Sequence, residues 1–160
     1  MKKTLCLPVL SLLTLLLLSS MAAHADEAMD LSQGQTVYVP AYSHIYVGNR
    51  EKPFLLTITL SIRNIDAKHP VTITAADYYD TKGKRIRRYL EQPVSLGTWE
   101  SIRYVVPQKD RSGGSGANFV VDWKSGKAVN PLLVEAIMIG AESQQGISFT
   151  SRGQVISTAN

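Results

Sequence analysis

Cysteine is almost missing from this 160-residue chain, whose only cysteine, Cys6, lies near the start. A segment without cysteine forms no disulfide and no thiolate metal site. A large excess of one charge is missing too, because 17 Lys and Arg residues oppose 13 Asp and Glu residues. Loss of Lys2 and Lys3 with the first segment would leave 15 basic residues and a net charge of +2. Such a small excess does not indicate nucleic-acid binding.

Only the beginning of the chain holds a long apolar run, which spans 14 residues from Leu5 to Leu18 after a short basic start. Ala23-His24-Ala25 follows and supplies the small residues typical of a signal peptidase site. An uncleaved membrane-spanning helix would need about 20 apolar residues. We therefore predict a helical signal peptide over residues 1–25, a single domain over residues 26–160 and no transmembrane segment after cleavage. Cleavage implies export, to the periplasm first, with release outside the cell as the alternative.

The predicted domain is dominated by short alternations of apolar and polar residues. The clearest runs from Phe54 to Asn64, and weaker ones occupy Thr36–Val47, Trp99–Val106 and Asn118–Trp123. Leu132–Ile139 is continuously apolar, which favours a strand buried on both sides, with a short helix as the alternative. About seven or eight such strands, separated by turn residues, predict an all-β fold. We expect an immunoglobulin-like β-sandwich, with a small β-barrel as the alternative.

A glycine- and serine-rich segment around Ser115 resembles the G-x-S-x-G elbow of serine hydrolases. However, Ala117 stands at the final glycine position, and a strand rather than a helix is predicted to follow. Both histidines of the domain, His44 and His69, precede the serine. We therefore interpret the segment as a flexible loop whose glycines bend the backbone. The alternative is an anion-binding nest of backbone N–H groups beside Arg111.

A basic turn carries five cations within seven residues: Lys82, Lys84, Arg85, Arg87 and Arg88. On a regular strand Arg85 and Arg87 would share one face, and Lys84 and Arg88 the other. Such a cluster could bind anionic lipid headgroups, lipopolysaccharide phosphates or an acidic partner. It could also protect a sheet edge from aggregation, which is the interpretation we favour.

An aromatic stripe is formed by the even-numbered residues Tyr38, Tyr42, His44 and Tyr46. Alternate residues of one strand point to the same side, so these four are predicted to share a face. Stacked rings could bind a sugar or a peptide. We favour packing against the core, because tyrosine buries its ring while its hydroxyl stays in water.

Several segments together resemble a bacterial family known as domain of unknown function 3124. The quoted segments are Tyr38-Val39-Pro40, Ser43-His44-Ile45-Tyr46, Ser61-Ile62-Arg63-Asn64, Tyr78-Tyr79-Asp80, Gly113 to Phe119, Glu135-Ala136, Met138-Ile139-Gly140 and Gln145-Gly146-Ile147-Ser148-Phe149. They extend through most of residues 34–156. The resemblance implies an exported bacterial protein and supplies no catalytic residue.

These observations predict a non-enzymatic domain of the cell envelope that binds a protein, a glycan or a lipid surface. The first alternative is a membrane-surface or lipopolysaccharide-associated protein that works through the basic turn. A serine hydrolase that uses Ser115 is the second. No complete catalytic constellation, metal-ligand spacing or cofactor motif occurs in the sequence, so we expect no cofactor and no metal.

The signal peptide makes a direct prediction. Protein recovered from the envelope fraction of an expressing bacterium should begin at Asp26, because cleavage follows Ala25. Intact-mass spectrometry checks this. A chain that still begins at Met1 would indicate a membrane anchor instead.

Overall fold

A computed structural model describes residues 30–142 and 145–159, and the predicted signal peptide lies outside these ranges. Every regular element in them is a β-strand. The strands are β1 (Ser32–Pro40), β2 (His44–Val47), β3 (Lys52–Leu55), β4 (Thr57–Arg63), β5 (Val71–Tyr79), β6 (Arg85–Arg88), β7 (Val94–Leu96), β8 (Ser101–Val106), β9 (Asn118–Val129), β10 (Leu133–Glu142), β11 (Gln145–Arg152) and β12 (Gln154–Thr158). This part of the chain contains no helix of the length and apolarity that a bilayer crossing requires.

The strands form two antiparallel sheets and a separate hairpin. The large sheet has the order β12-β1-β9-β5-β6, with β7 also paired to β5. The small sheet has the order β11-β10-β4-β8, and β2 pairs with β3. The predicted all-β class is confirmed. Among the described residues both sheets are open, so these strands do not form the alternative small barrel.

A single hydrophobic core receives side chains from both sheets. Phe119, Val121 and Trp123 of β9 alternate inward as predicted, and so do Ile58 and Leu60 of β4. The expectation for β10 was right in element type and wrong in burial. Its inward face is buried, whereas Ile139 on the outward face is 53 % exposed. The small sheet therefore presents an open outer face.

The described residues form twelve strands rather than the predicted seven or eight, because three predicted strands are each divided and β7 lies in a segment without a predicted strand. The chain leaves the large sheet after Pro40, whose nitrogen carries no hydrogen for a ladder bond. At the other end of the chain, Gly153 separates β11 of the small sheet from β12 of the large sheet. A Cβ at Gly153 would lie 2.5 Å from Val37 Cγ1, so a larger residue would collide with the core at this corner.

A polar turn ties together the end of the molecule at which β4 finishes. The Asn64 side-chain amide donates to the carbonyl oxygens of His69 and Gly97, each at 2.9 Å. The Asp66 carboxylate accepts backbone N–H groups from Lys68 and His69 at 2.8 Å and from Asn130 at 3.0 Å. These donors, with that of Asn130 contributing most, lower the pKa of Asp66 to about 2. The ionised carboxylate therefore joins the turn to the β9–β10 connection.

Stability should depend on the protonation of Asp66. A carboxyl group with a pKa lowered from 3.8 to about 2 stabilises the fold above pH 4, and this contribution is lost as the pH falls from about 4 to 2. Asp66→Asn should lower the free energy of unfolding at pH 7 and reduce its dependence on pH in that window. Urea denaturation at pH 7, 4 and 2.5 measures both effects. Asp30→Asn, at an exposed position, is the matched control, and equal behaviour of the two variants would contradict the assignment.

Candidate functional site

A loop of residues 113–117, here called the clamp loop, joins two distant connections through its carbonyl groups. The Gly113 carbonyl accepts the Thr81 N–H at 3.0 Å and the Thr81 hydroxyl at 3.1 Å. The Gly114 carbonyl accepts the Ser43 N–H at 3.0 Å and the Ser43 hydroxyl at 3.1 Å. The clamp loop therefore holds the β1–β2 connection on one side and the β5–β6 turn on the other.

Glycine at position 113 is required by packing. A Cβ there would overlap the hydroxyl of Tyr78 and would lie 2.7 Å from the Cβ of Ala117. Gly114 has a φ of +80°, in the left-handed region that favours glycine. The sequence predicted a flexible loop, and the structure corrects this, because the segment is packed and hydrogen-bonded on both sides.

The predicted anion-binding nest loses two of its donors in this arrangement. The Gly114 N–H donates to the carbonyl of Arg111 at 3.2 Å, and the Gly116 N–H donates to the Thr81 hydroxyl at 3.1 Å. These N–H groups stabilise the loop itself and are not directed at a ligand. Ser115 is half-buried in this loop, and Arg111 is exposed beside it.

A serine–histidine contact occurs at a position that the sequence reading missed. The Oγ atom of the fully buried Ser43 lies 3.3 Å from Nδ1 of His44, whose Nε2 lies 3.3 Å from the Tyr46 hydroxyl. The Ser43 hydroxyl donates its hydrogen to Gly114, so its proton is directed away from the imidazole. The contact therefore orients His44. Only the adjacency of Ser43 and His44 in the sequence could have signalled it.

The two histidines have other partners than Ser115. His44 contacts Ser43 and Tyr46, whereas His69 lies 3.3 Å from Asp66. Within the described ranges neither histidine forms a hydrogen bond with Ser115. The same ranges contain no group of three or more His, Cys, Asp or Glu side chains that could hold a metal ion.

The predicted aromatic stripe is divided in the structure, so its four residues do not share a face. Tyr38 lies on β1 with its side chain opposite to the buried Val39. Tyr42 packs edge-on against Phe149, with 5.7 Å between the ring centroids. His44 and Tyr46 form a T-shaped pair at 5.3 Å on β2, which pairs with β3 instead of continuing β1. Tyr42 thus fits the packing interpretation, whereas Tyr46 is 54 % exposed.

The arginines of the basic turn are paired with carboxylates. Arg85 Nη1 lies 2.9 Å from Asp77 Oδ2, and Arg88 Nε lies 3.5 Å from Asp77 Oδ1. Arg87 Nη2 lies 3.3 Å from Asp110 Oδ2. The hydrogen bond from Arg85 to Asp77 raises the pKa of this guanidinium. Two carboxylates therefore offset two of the five positive charges that were predicted to bind an anionic ligand.

A β-bulge explains why Arg85 and Arg88 meet the same carboxylate. Arg88 pairs with Asp77, and Arg85 pairs with Tyr79, while the register shifts between Tyr78 and Tyr79. The extra residue on β6 is Ile86. It reverses the face of the sheet to which each following β6 side chain points. The prediction that Arg85 and Arg87 share a face is therefore wrong.

The two lysines of the basic turn remain exposed. The Asp80 carboxylate accepts the backbone N–H groups of Lys82 at 2.8 Å and Lys84 at 2.9 Å, and Gly83 has a φ of +78°. These bonds form a tight turn with a left-handed glycine. Among the described residues no carboxylate lies within 4.0 Å of either lysine ammonium group. The turn therefore directs two cations into solvent beside the clamp loop.

These elements form one surface, here called the clamp end, which is the candidate functional site. It combines the clamp loop, the β1–β2 connection with its following strand, and the β5–β6 turn. Its exposed and half-buried polar side chains are Tyr46, His44, Lys82, Lys84, Arg111 and Ser115. The clamp end brings together residues that the sequence had offered as three separate candidates.

Comparison with known proteins identifies the family. A family model described as "Protein of unknown function (DUF3124)" matches residues 34–156. The chain belongs to this family. The resemblance drawn from the sequence is confirmed, and the clamp loop lies inside the matched DUF3124 region.

Other comparisons add little. A solved structure, "Crystal Structure of Thermotoga maritima 1070", is 10 % identical and covers 78 % of this chain and 97 % of its own, with a TM-score of 0.47. A comparison with curated proteins gave no match. The DUF3124 membership is therefore the finding that places this chain among known proteins.

The packing of the clamp loop in this DUF3124 domain makes a stability prediction. Gly113→Ala should lower the free energy of unfolding by at least about 1–3 kcal/mol, because the new methyl group overlaps the Tyr78 hydroxyl. Gly126→Ala is the matched control, since its Cβ would meet no atom within 4 Å. Chemical denaturation of both variants measures the difference. Equal stability of the two would show that the loop is not packed as described.

Proposed function

We propose that this protein is an exported, non-enzymatic domain of the bacterial cell envelope that binds a protein, glycan or lipid surface through the clamp end. Export to the periplasm follows from the predicted signal peptide, with release outside the cell as the alternative. We also propose an immunoglobulin-like arrangement of the two sheets, which the single core between them supports.

One observation carries the binding proposal: backbone hydrogen bonds fix the clamp loop to Ser43 and Thr81. A surface that is rigid before binding loses less conformational entropy when a partner arrives. Exposed groups that stand on such a base are therefore well placed for recognition. Tyr46 supplies an exposed aromatic ring, and Lys82 and Arg111 supply positive charge.

The membrane-surface alternative depends on positive charge that two carboxylates offset in part. A cation close to an anionic bilayer contributes about 1 kcal/mol to binding. Arg85, Arg87 and Arg88 share two carboxylates, so a net charge of 5 − 2 = +3 remains on the basic turn. About 3 kcal/mol from this net charge gives weak and reversible binding. A specific partner at the clamp end accounts better for its fixed geometry.

The serine hydrolase alternative would need a base beside Ser115. His44 is held by Ser43 and Tyr46, and no observation favours a catalytic role for Ser115. We therefore retain a binding function as the proposal.

Site-specific photo-crosslinking in living bacteria tests the proposal. A photoreactive amino acid at Tyr46 or Ser115 should give a discrete adduct after irradiation, because both lie on the clamp end. The same amino acid at Lys127, an exposed residue near the far end of β9, is the control and should give none. The adduct's mass and its sensitivity to protease distinguish a protein partner from a glycan or a lipid.

Adducts of equal yield at all three positions would contradict a specific surface. A folded, exported variant that gives no adduct at position 46 or 115 would also contradict it.

A further inference from the structure

The outer face of the small sheet contains a groove that is lined mainly by polar and charged side chains. It lies between the second half of β4 and the beginning of β8. The groove has a volume of about 250 Å³ and is lined by Thr59, Ser61, Arg63, Ser101, Arg103 and Ile137. None of these residues belongs to the clamp end, so the argument below is independent of the proposed function.

Strand register places two arginines diagonally across this groove. Ser61 is directly opposite Arg103, and Arg63 is directly opposite Ser101. Diagonal neighbours on one face of an antiparallel pair lie within reach of long side chains. Two guanidinium groups at this separation repel one another unless an anion lies between them. Each arginine therefore has a serine as its facing neighbour and a second cation as its diagonal neighbour.

The carboxylates of the described residues leave these two cations unneutralised. No Asp or Glu oxygen in those ranges lies within 4.0 Å of the Arg63 or Arg103 guanidinium. Glu135 is opposite Ser61 on β10, but its carboxylate lies 3.5 Å from Nε of Arg152 on the other side. Arg63 Nε donates to the Ser61 hydroxyl at 3.2 Å, and its terminal nitrogens stay available.

An exposed tryptophan lies in the turn that precedes β8. Trp99 precedes Ser101 by two positions, is 69 % exposed and has a φ of +63°, which is unfavourable for a bulky residue. Its turn is held in place because the Glu100 carbonyl accepts the N–H of Asn64, the residue after Arg63, at 2.9 Å. An unfavourable backbone conformation at an exposed aromatic residue indicates that the residue has a role other than packing in the core.

We propose that this groove binds a saccharide unit that carries an oxyanion, either phosphate or carboxylate. The forked guanidinium groups of Arg63 and Arg103 match the geometry of such an oxyanion. The hydroxyls of Thr59, Ser61 and Ser101 are suited to the hydroxyls of a sugar. Pockets for drug-sized ligands have volumes of about 300–1,000 Å³, so this smaller groove suits one sugar unit. Trp99 offers a ring on which the apolar face of the sugar can stack.

Tryptophan fluorescence of the full mature protein tests the proposal. The chain contains two tryptophans, and Trp123 is only 3 % exposed, so a ligand-dependent change reports mainly on Trp99. Glucose 1-phosphate and glucuronic acid should each give a saturable change. Inorganic phosphate should bind more weakly, and glucose should give no change at the same concentrations.

Three substitutions define the site. Arg63→Gln and Arg103→Gln should each weaken binding of the best probe by about tenfold or more, because a charge-assisted hydrogen bond is lost. Lys127→Gln removes one exposed cation outside the groove and should leave the affinity unchanged. If Arg63→Gln disturbs the neighbouring turn, the exposed Arg103 carries the test alone.

Three results would overturn the proposal. The first is a loss of affinity in Lys127→Gln equal to that in Arg103→Gln, which would indicate nonspecific attraction. The second is inorganic phosphate binding as tightly as the sugar phosphate, which would remove the role of the saccharide. The third is no fluorescence change with either anionic sugar.

Discussion

The close packing of Gly113 against the Tyr78 ring is the constraint on which the clamp end depends. The Tyr78 hydroxyl is buried and has no hydrogen-bond partner among the described residues, and this burial raises the pKa of the phenol. Burial of a hydroxyl without a hydrogen-bond partner costs free energy. Because glycine has no side chain, the loop can approach the ring and present its carbonyls to Ser43 and Thr81.

The two proposed binding surfaces follow from different features of the fold. At the clamp end, hydrogen bonds between connections fix the exposed groups of an irregular surface. On the small sheet, the regular spacing of β4 and β8 places the Arg63 and Arg103 guanidinium groups on one open face. Under these two proposals, loops at one end of the sheets and strand side chains of the small sheet would each bind a ligand.

Sequence reasoning succeeded where the polarity of each side chain predicts whether that residue is buried or exposed. The inward residues of β4 and β9 alternate with polar ones, so both strands could be predicted, and so could the turn at Gly83. It failed where backbone atoms or register decide the outcome. The bonds from Ser43 and Thr81 to the clamp loop end on carbonyl groups, which every residue carries. The bulge at Ile86 directs Arg85 and Arg88 to one carboxylate, and the alternation of polar and apolar residues does not indicate it either.

Hydrogen exchange of two backbone amides tests the central claim most directly. The N–H groups of Ser43 and Thr81 lie in connections, where exchange is fast unless a bond protects it. Because they donate to Gly114 and Gly113, their exchange should be as slow as that of the amides within β9. Exchange of both amides at the rate of an unstructured chain would contradict the account of the clamp loop.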